Sequence, residues 1–471
     1  MVDFNTIPLS VVGPTEKLKS IQLDSQLTQN FYIYLSESGP VLNNFPGSLL
    51  FSSATSIAAE RGSHVFNGEL YVLTGTTLER VGSDGVRATI GTISGSGRCI
   101  FDDDGSNLLI ANSGTLHNYN GTTLSTITNA VLESPNSVTV INRQAIVDGN
   151  TNRWMVADYG TPTSFIADNT GVKESKSDDL LRPYAFDERL YLFGDTVSTE
   201  VWWNSGVGNP PFDEITGSLI NVGLGALHSV SNTVNNCYFL GADINIYKMK
   251  GTQVSNISNP GIAKEINGMS TASDAIGMCF NIEGLSFYKI DFPTGNKSFL
   301  YCENSDIWTS LSYGVNGDRH IAGSYQRCYN KHLIVDRRNG DVHEWRLDTY
   351  TDNGDAIQRK RILPKISGEM LKKPGMRILI DRFELILQKG VGIAGNGQGS
   401  DPSIMIEVSS DGGESYENLQ YIRIGRAGES TIKVESYFSR SAYEFVFRIT
   451  ITDPVFTNIR AASIDLKADG Y

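Results

Sequence analysis

Apolar and polar residues alternate over short stretches of this chain, and one such unit returns repeatedly through residues 61–358. In ERLYLFGD, Leu190 and Leu192 fall on one face of an extended strand, and the aromatic residues that alternate with them fall on the other. Each unit has a short apolar strand, a tight polar turn such as Asn67-Gly68, a second alternating strand and a longer loop. The pattern predicts consecutive antiparallel β-hairpins.

The spacing of these units predicts how the hairpins are arranged. The units start at His64, Arg98, Ser137, Arg182, His228, Gly277 and Ala322. Successive starts are roughly 34 to 49 residues apart, close to the ~40–50 residues of a propeller blade. Because one hairpin cannot bury its face alone, about six or seven of them stacked around an axis would bury both faces. We therefore expect a β-propeller, and a string of β-sandwiches stays open because no strict WD or kelch signature is present.

The rest of the chain predicts three further parts. Residues 1–60 form an N-terminal arm with the first strands, and residues 359–382 form a basic connector. Alternating segments such as RILIDRFELILQ and YEFVFRITIT indicate a separate antiparallel domain over residues 383–471. The predicted fold class is all-β, with a β-propeller of about six or seven blades over residues 61–358 and an additional C-terminal antiparallel β domain.

Two segments of the C-terminal part are candidate interfaces. The segment 359–382 is either a solvated connector or a docking strip for an acidic partner, with Lys372, Lys373 and Arg377 as candidate contact residues. The glycine-rich loop GVGIAGNGQGSDP, which contains the candidate Gln398, precedes a strand and has neither a GxGxxG fingerprint nor a P-loop. We interpret it as a flexible or interface loop.

Composition narrows the classes of function. The 471 residues carry a net charge of −13, so the chain has no general electrostatic reason to grip nucleic acid. Its five cysteines are scattered without a CxxC pair, which favours reduced thiols and assembly in the cytoplasm. We find neither a signal peptide nor a run of about 18 apolar residues, and we therefore expect no membrane span.

The stretch SSDGGESY raises the question of sugar chemistry, because it resembles the Asp box on the blades of sialidase-type propellers. The residues in register with that box are Ser409, Asp411, Gly413, Ser415 and Tyr416. The aspartate can accept backbone N–H bonds within its own turn, and the glycines can supply a positive φ. In sialidases too the box lies away from the catalytic centre, so we interpret the stretch as a structural turn.

The adjacent Trp202 and Trp203 are candidates for an interface or for a sugar platform. In a strand the two side chains point to opposite sides, so at least one belongs to the core. The alternative function is therefore a glycan-binding or glycan-cleaving, sialidase-like propeller. That alternative stays open, because the two carboxylates of a glycosidase come together only in the fold.

Other motifs predict no further chemistry. FDDDG at residues 101–105 lacks the later bidentate Glu of an EF-hand loop, and a hairpin turn with an acidic tip explains it better. The six histidines occur singly without HExxH, and no GxSxG elbow is present. We predict no catalytic residue, no metal site and no cofactor.

Three stretches, in order along the chain, resemble the packaged-DNA stabilisation proteins, or tail accessory factors, of short-tailed bacteriophages. They are NFYIYLSESGPVLNNFPGSLLF from Asn30, STEVWWNSGVGNPPFDEITGSLINVGLGALHSV from Ser198, and GVGIAGNGQGSDPSIMIEVSSDGGESY from Gly390. The chain departs from the family pattern at Tyr416, where Trp is commoner, and over Ser436–Phe447, which lacks an L-G-x-x-R step. These departures concern the C-terminal domain.

The resemblance implies a structural, non-enzymatic protein of the virion tail that is assembled in the host cytoplasm. Such proteins form a homo-oligomeric ring, taken here as a hexamer, below the portal and its adaptor (head-completion) protein. The resemblance also implies closure of the DNA channel after packaging, and attachment sites for the tail needle and the tailspikes. DNA would pass the ring without sequence-specific binding. The alternative is a glycan-binding or glycan-cleaving propeller of a phage tail.

Overall fold

The computed structural model describes residues 4–16, 25–37 and 39–469, and most of these lie in antiparallel β-strands. Of the predicted N-terminal arm, residues 1–3, 17–24 and 38 lie outside the described residues. The first five strands are Asn5–Leu9 (β1), Leu27–Gln29 (β2), Phe31–Ser36 (β3), Gly39–Asn44 (β4) and Gly47–Ser52 (β5).

Seven sheets then follow as propeller blades, and in blades 1 to 6 the four strands run in chain order from the axis outward. Blade 1 consists of Glu60–Phe66 (β6), Glu69–Thr74 (β7), Thr77–Val81 (β8) and Arg87–Thr92 (β9). Blade 2 consists of Ile100–Asp103 (β10), Leu108–Asn112 (β11), Thr115–Tyr119 (β12) and Leu124–Thr126 (β13). Blade 3 consists of Val138–Ile141 (β14), Gln144–Asp148 (β15), Arg153–Asp158 (β16) and Thr161–Val172 (β17). Blade 4 consists of Leu180–Phe186 (β18), Arg189–Gly194 (β19), Thr199–Asn204 (β20) and Phe212–Glu214 (β21). Blade 5 consists of Ser231–Asn232 (β22), Cys237–Leu240 (β23), Ile246–Lys250 (β24) and Gln253–Asn256 (β25). The helix Pro260–Asn267 (α1) follows. Blade 6 consists of Ile276–Ile282 (β26), Leu285–Phe292 (β27), Lys297–Cys302 (β28) and Ile307–Leu311 (β29). Blade 7 begins with Ala322–Cys328 (β30), Lys331–Asp336 (β31) and Val342–Arg346 (β32).

Tight turns join the first two strands of most blades. Asn67 and Gly68 both adopt positive φ, 51° and 77°, which a two-residue turn of type I′ requires. The corresponding turn of blade 4 places Asp187 and Glu188 in the same region, with φ of 52° and 59°. These turns let each strand fold back on its neighbour at once, so the alternating segments pair locally.

The seventh blade is completed from the other end of the chain. Strand β5 pairs antiparallel with β32, so that the residues just before blade 1 supply the outer strand of blade 7. The two short strands Thr351–Asp352 (β33) and Asp355–Ala356 (β34) extend this sheet further. The propeller is thereby closed into a ring by hydrogen bonds between residues about 300 positions apart.

The remaining strands build a β-sandwich. They are Arg359–Ile362 (β35), Ile366–Ser367 (β36), Ile378–Leu387 (β37), Ser403–Ser409 (β38), Glu417–Arg423 (β39), Val434–Ala442 (β40), Glu444–Ile451 (β41) and Asn458–Ala468 (β42), with a 3-10 helix at Gly368–Leu371. One sheet has the order β3-β4-β42-β37-β40, with β1 also on β42, and the other contains β35-β41-β38-β39. Between them the rings of Phe383 and Phe447 stack with their centroids 4.4 Å apart.

Strand β2 links the two domains through backbone hydrogen bonds. Strand β2 pairs in parallel with β29 of blade 6 and antiparallel with β35 of the sandwich. The result is one continuous ten-stranded sheet that runs from the axis of the propeller to the outer edge of the sandwich. The N-terminal strands therefore belong to both domains and do not form a separate arm.

The predicted all-β fold, with a propeller and a further antiparallel domain, is confirmed, and the described propeller has seven blades. The description of residues 359–382 as a basic connector does not hold for their first part. Arg359 and Arg361 lie in β35 with no exposed surface, because their strand is the link between β2 and the sandwich. The helices of the described residues include none whose length and apolar character would suffice to cross a bilayer.

Candidate interaction surfaces

The Asp-box-like stretch forms the turn between β38 and β39. The Asp411 carboxylate accepts the Ser415 N–H at 3.0 Å and the Ser409 hydroxyl at 2.6 Å, and the Ser409 oxygen accepts the Gly413 N–H at 2.8 Å. These hydrogen bonds from Ser409 and Ser415 hold the pKa of the Asp411 carboxyl below its usual range. Its oxygens are used within the turn, and the arrangement serves to fix the hairpin.

Tyr416 closes the same turn against the neighbouring strand. The Arg448 guanidinium lies 3.9 Å from the centre of the Tyr416 ring, and Glu407 binds that guanidinium through two oxygens at 2.6 and 2.7 Å. Burial raises the pKa of the Tyr416 hydroxyl to about 12. The ring thus packs beneath a bidentate ion pair of the sheet, which is a structural role.

A cleft of about 450 Å³ separates this turn from blade 6. On one side lie Gly413 and Tyr416 of the turn, and on the other lie Lys297 and Ser312 of the blade. Gln29 of the connecting strand β2 forms its floor and donates a hydrogen bond from Nε2 to the Ser312 hydroxyl at 2.6 Å. The Asp-box turn therefore lies at the joint between the domains and not at the propeller axis.

The two tryptophans of β20 point to opposite faces, as the strand period predicts. The Trp202 ring packs against Trp154 of blade 3 at 5.3 Å and donates its N–H to Glu200 at 3.0 Å. Trp203 is 47% exposed on the outer part of blade 4. Trp202 is half-buried, so Trp203 presents the larger surface to a partner.

A shallow cleft of about 650 Å³ lies close to Trp203, between blades 3 and 4. Its lining includes Asn204, which follows Trp203 in sequence, and Tyr159, which is 71% exposed. The Asn204 amide donates to the Gln144 side chain at 3.0 Å and so links the two blades. Tyr159 was not predicted from the sequence, because a single aromatic residue in a turn carries no periodic signal.

The exposed part of the basic segment is a short loop before β37. Lys372 and Lys373 are exposed, and Lys372 ends the 3-10 helix with a positive φ of 57°. Arg377 is also exposed, but its guanidinium donates to the Ser441 backbone carbonyl at 3.0 Å and lies 5.7 Å from the Tyr443 ring centre. The two lysines are therefore the part of this segment that a partner could contact.

Gln398 lies at the opposite end of β37, in an exposed loop held by its own backbone. Ile393 N–H donates to the Gly399 carbonyl at 2.9 Å, and Gly390 N–H donates to the Ile424 carbonyl at 3.0 Å. The ten residues of β37 separate this loop from the lysines by about 30 Å. The two candidate interfaces of the sandwich therefore lie on different ends of the domain.

The buried arginines of β35 were missed as structural residues. Arg361 donates to the carbonyl of Val11 at 2.6 Å, to the hydroxyl of Thr28 at 3.0 Å and to the side-chain oxygen of Gln26 at 2.6 Å. Arg359 donates to the Tyr350 carbonyl at 3.1 Å, and burial lowers its pKa to about 10. Their charge does not contribute to an exposed docking strip, because it is enclosed at the joint.

The innermost strands of the seven blades surround an axial channel of about 420 Å³. Polar side chains that line it include His64, Arg98, Asp102, Arg182, Tyr184 and His228. Ligand atoms of His64, Asp102 and Asp103 lie within 4.8 Å of one another. His64 is 2.8 Å from Asp103 of blade 2, and Asp102 accepts the Val140 N–H of blade 3 at 2.7 Å. These contacts tie neighbouring blades together.

The channel gives the glycan alternative no support. A glycosidase needs two carboxylates at about 5–9.5 Å on either side of the scissile bond. Among the described residues that line the channel, Asp102 is the one carboxylate, and its oxygen is bonded to Val140 and Thr139. The FDDDG stretch is only partly the predicted acidic turn: its residues 101–103 lie in β10, where Asp102 faces the channel, and the turn begins at Asp104, which accepts the N–H groups of Ser106 and Asn107 at 2.8 and 2.6 Å.

Two family models match the chain, one after the other. The first, described as bacteriophage P22 Gp10, beta-propeller, matches residues 30–350, and the second, described as bacteriophage P22 Gp10, beta-sandwich, matches residues 365–467. The chain belongs to the bacteriophage P22 Gp10 family. The predicted relation to packaged-DNA stabilisation proteins is thus confirmed, and this Gp10-family chain is a structural tail protein of a phage virion. The two matches meet near residues 350–365, where the structure passes from blade 7 to the sandwich.

Other comparisons add little to this Gp10 assignment. A search of curated proteins finds no match. Among solved structures, BamB from Moraxella catarrhalis is 10% identical, with a TM-score of 0.40, 68% of this chain covered and 96% of that chain. The WD40 beta propeller domain of Doa1 is 10% identical, with a TM-score of 0.41 and coverages of 64% and 97%. At these values the structures carry no argument about what the Gp10-family chain does.

Proposed function

We propose that this chain is the tail hub that closes the DNA channel of a short-tailed phage after packaging. Copies of the chain form a ring, taken as a hexamer, below the portal and its adaptor protein. The tail needle and the tailspikes attach to the same ring. Assembly takes place in the host cytoplasm, on a capsid that is already filled with DNA.

The observation that carries this proposal is the continuous ten-stranded sheet between the propeller and the sandwich. A hub must keep its partners in fixed positions while pressurised DNA presses on the closed channel. Hydrogen bonds across β29, β2 and β35 fix the two domains relative to one another without a flexible linker. A rigid connection of this kind suits a subunit that must resist the pressure of packaged DNA better than two independent domains would.

The positions of the candidate contacts support several different partners. Tyr159 lies on blade 3 and Trp203 on blade 4, whereas the sandwich is joined to blades 6 and 7. Within the sandwich, Lys372 and Gln398 lie at opposite ends of β37. Contacts so far apart suit a subunit that meets neighbouring copies and other tail proteins through separate surfaces, as a ring built from heterologous interfaces requires.

The charge of the chain supports passage of DNA without sequence-specific binding. The net charge is −13, and Arg359 and Arg361 are enclosed at the joint, so they offer nothing to phosphates. Binding to DNA backbones depends on accessible clusters of Lys and Arg. A conduit of this composition would let DNA pass and would not retain it.

The proposal is tested with capsids that are filled with DNA but lack this protein. We expect them to leak DNA, measured as nuclease-sensitive genome over time, and we expect added wild-type protein to stop the loss. Negative-stain images of the same samples are expected to show a ring at the portal vertex. Capsids that hold their DNA equally well without the protein would overturn the proposal.

The contact surface of the lysines is tested in the same assay. Charge reversal by Lys372→Glu with Lys373→Glu is expected to weaken ring assembly on portal–adaptor complexes, because an acidic partner would then be repelled. The matched control is Lys176→Glu with Lys250→Glu, two exposed lysines of the propeller that give the same change in net charge. If both pairs assemble like wild type, the lysines are not part of an interface.

A further inference from the structure

We propose that the axial channel of the propeller binds a phosphate-sized oxyanion between Arg98, Arg182 and His228. All three side chains line the same channel, on the innermost strands or the loops that lead into them. They belong to three different blades, because Arg98 precedes β10, Arg182 lies in β18 and His228 precedes β22. An anion held by them would connect blades 2, 4 and 5 across the axis.

Arg182 is the main reason for this proposal. Its residue surface is 8% exposed, and its Nη1 donates to the Leu227 carbonyl at 2.7 Å. Its Nε is buried without a hydrogen-bond partner, and among the described residues no carboxylate forms an ion pair with it. A buried N–H of a charged group that lacks an acceptor is costly, and an anion in the channel would satisfy it.

Two neighbours of Arg182, Arg98 and His228, contribute further N–H donors to the channel. Arg98 forms an ion pair with Glu60 at 2.8 Å and donates to the Gly323 carbonyl at 2.9 Å, so its own charge is balanced while it still lines the channel. Burial, together with the charges of Arg98 and Arg182, lowers the pKa of His228 to about 3. The imidazole is therefore neutral near pH 7, and it can donate one N–H to an oxyanion.

The one carboxylate of the channel does not compete for Arg182. The oxygen Oδ2 of Asp102 accepts the Val140 N–H at 2.7 Å and the Thr139 hydroxyl at 3.2 Å. Asp102 lies four residues beyond Arg98 along the chain, towards the opposite end of strand β10. The anion would therefore lie near the end of the channel formed by Arg98, Arg182 and His228, away from Asp102.

The size of the channel limits the ligand. A volume of about 420 Å³ admits inorganic phosphate or one phosphate monoester such as a nucleoside 5′-monophosphate, and it does not admit a nucleic-acid duplex. Both ligands present the same oxygens to the arginine. Titration with inorganic phosphate and with adenosine 5′-monophosphate in parallel distinguishes them, because tighter binding of the nucleotide would identify an ester as the preferred form.

The first test measures thermal unfolding of the full chain in increasing sodium phosphate, against sodium chloride of equal ionic strength. We expect phosphate to raise the Tm more than chloride does, since a ligand that binds only the native state stabilises it. Arg182→Met is expected to lower the phosphate affinity by about tenfold or more. Arg346→Met, an exposed arginine of blade 7 that pairs with Asp348, is the matched control and is expected to bind phosphate like wild type. Equal shifts in phosphate and chloride would overturn the proposal.

The second test does not depend on the stability of a buried variant. Crystals of the wild-type protein soaked in tungstate are expected to show an anomalous peak within hydrogen-bond distance of Arg182 Nε. A weaker peak is expected in His228→Gln, whose side chain keeps a polar donor at a changed position. If the wild-type channel shows no peak at tungstate concentrations that label other sites, the channel is not an oxyanion site.

Discussion

The first six propeller blades are each folded from one continuous stretch of chain, whereas the sandwich takes its strands from both ends of the sequence. In blade 3, for example, β14 to β17 follow one another between residues 138 and 172. In the sandwich, β42 near the C-terminus pairs with β1 and β4 near the N-terminus. The same antiparallel pairing is thus local in one domain and joins residues more than 400 positions apart in the other.

This difference shows where the stability of the whole molecule depends on single residues. A blade is held by many short-range contacts of similar kind, and losing one leaves the others in place. The long-range joints are few, and each depends on a particular side chain or on close approach of backbones. We therefore expect substitutions at the joints to have the largest effects and substitutions on the outer surface to have the smallest.

The largest effect is expected for Arg361→Ala. The guanidinium is fully buried, and its removal leaves the acceptors of Val11, Thr28 and Gln26 without their donor. Because each unsatisfied buried polar group costs about 1–3 kcal/mol, we expect the three together to lower the free energy of unfolding by about 3–9 kcal/mol. Urea denaturation measures it. The exposed Arg346→Ala is the control, with an expected change below about 1 kcal/mol. Similar losses for the two variants would mean that β35 does not depend on its buried charge.

The next effect concerns Asp352, which lies in β33 beside the closing strand β5. Burial raises the pKa of this carboxyl to about 7, from an ordinary value of 3.8. The folded state thus binds a proton that the unfolded state has lost, and stability should fall as the pH rises from about 4 to 7. Asp352→Asn removes this dependence, and above pH 8 it should be more stable than wild type by on the order of 3–4 kcal/mol.

Chemical denaturation at several pH values between 4 and 8 checks this prediction. The control is Asp348→Asn, because Asp348 is exposed and its pKa is lowered by a hydrogen bond from Arg346. We expect that variant to keep the wild-type fall in stability over this range. A stability of Asp352→Asn that still declines with the wild-type slope would show that another group titrates at the joint.

A smaller effect is expected for Gly47→Ala, at the start of the closing strand β5. A Cβ at this position would lie 2.4 Å from the Thr351 carbonyl oxygen and 2.7 Å from that of Thr349. Both neighbours are backbone, so the strand must shift, at a cost of about 1–3 kcal/mol. Gly397→Ala, where nothing lies within 4 Å of the added carbon, is expected to change the thermal midpoint very little. Equal midpoints for the two variants would contradict a tight closure.

The smallest effect on folding is expected for the Lys372→Glu and Lys373→Glu double variant. Both side chains are exposed, and substitutions at such positions usually change stability by no more than about 0.5 kcal/mol. Thermal unfolding is expected to match wild type even when assembly on portal–adaptor complexes is lost. A large loss of stability would instead place these lysines among the joints and would remove them as candidates for a contact.

The local part of the fold could be predicted from the sequence, and the distant part could not. The seven predicted units, from His64 to Ala322, fall within a few residues of the first strands of the seven blades, because alternation and turn residues act over short distances. Strand β5 was not predicted as part of blade 7, since an alternating segment shows which face is apolar but not which strand it pairs with. Likewise, Arg361 has the composition of a solvated residue, and only the fold encloses it.

The candidate surfaces were predictable to a similar extent. The opposite orientation of Trp202 and Trp203 follows from the strand period, and in the structure Trp202 is half-buried against Trp154 while Trp203 is exposed. Nothing in the sequence indicated that Lys372 and Gln398 lie at opposite ends of one strand, because that depends on where β37 begins and ends. Arg182 was not predicted as a candidate site residue, since its burial in the axial channel results from seven blades meeting at one axis.

The pairing of β5 with β32 and of β1 with β42 also determines when this protein can finish folding on the ribosome. Strands β1 and β5 are synthesised well before their partners, since β32 begins at Val342 and β42 at Asn458. At a synthesis rate of ~5–20 residues per second, the first strands wait roughly 20–80 s for those partners. During translation blades 1 to 6 can form in turn, while the closing strands stay available to other chains. When many copies are made at once, these unpaired early strands can therefore pair with the wrong chain before their own partners are synthesised.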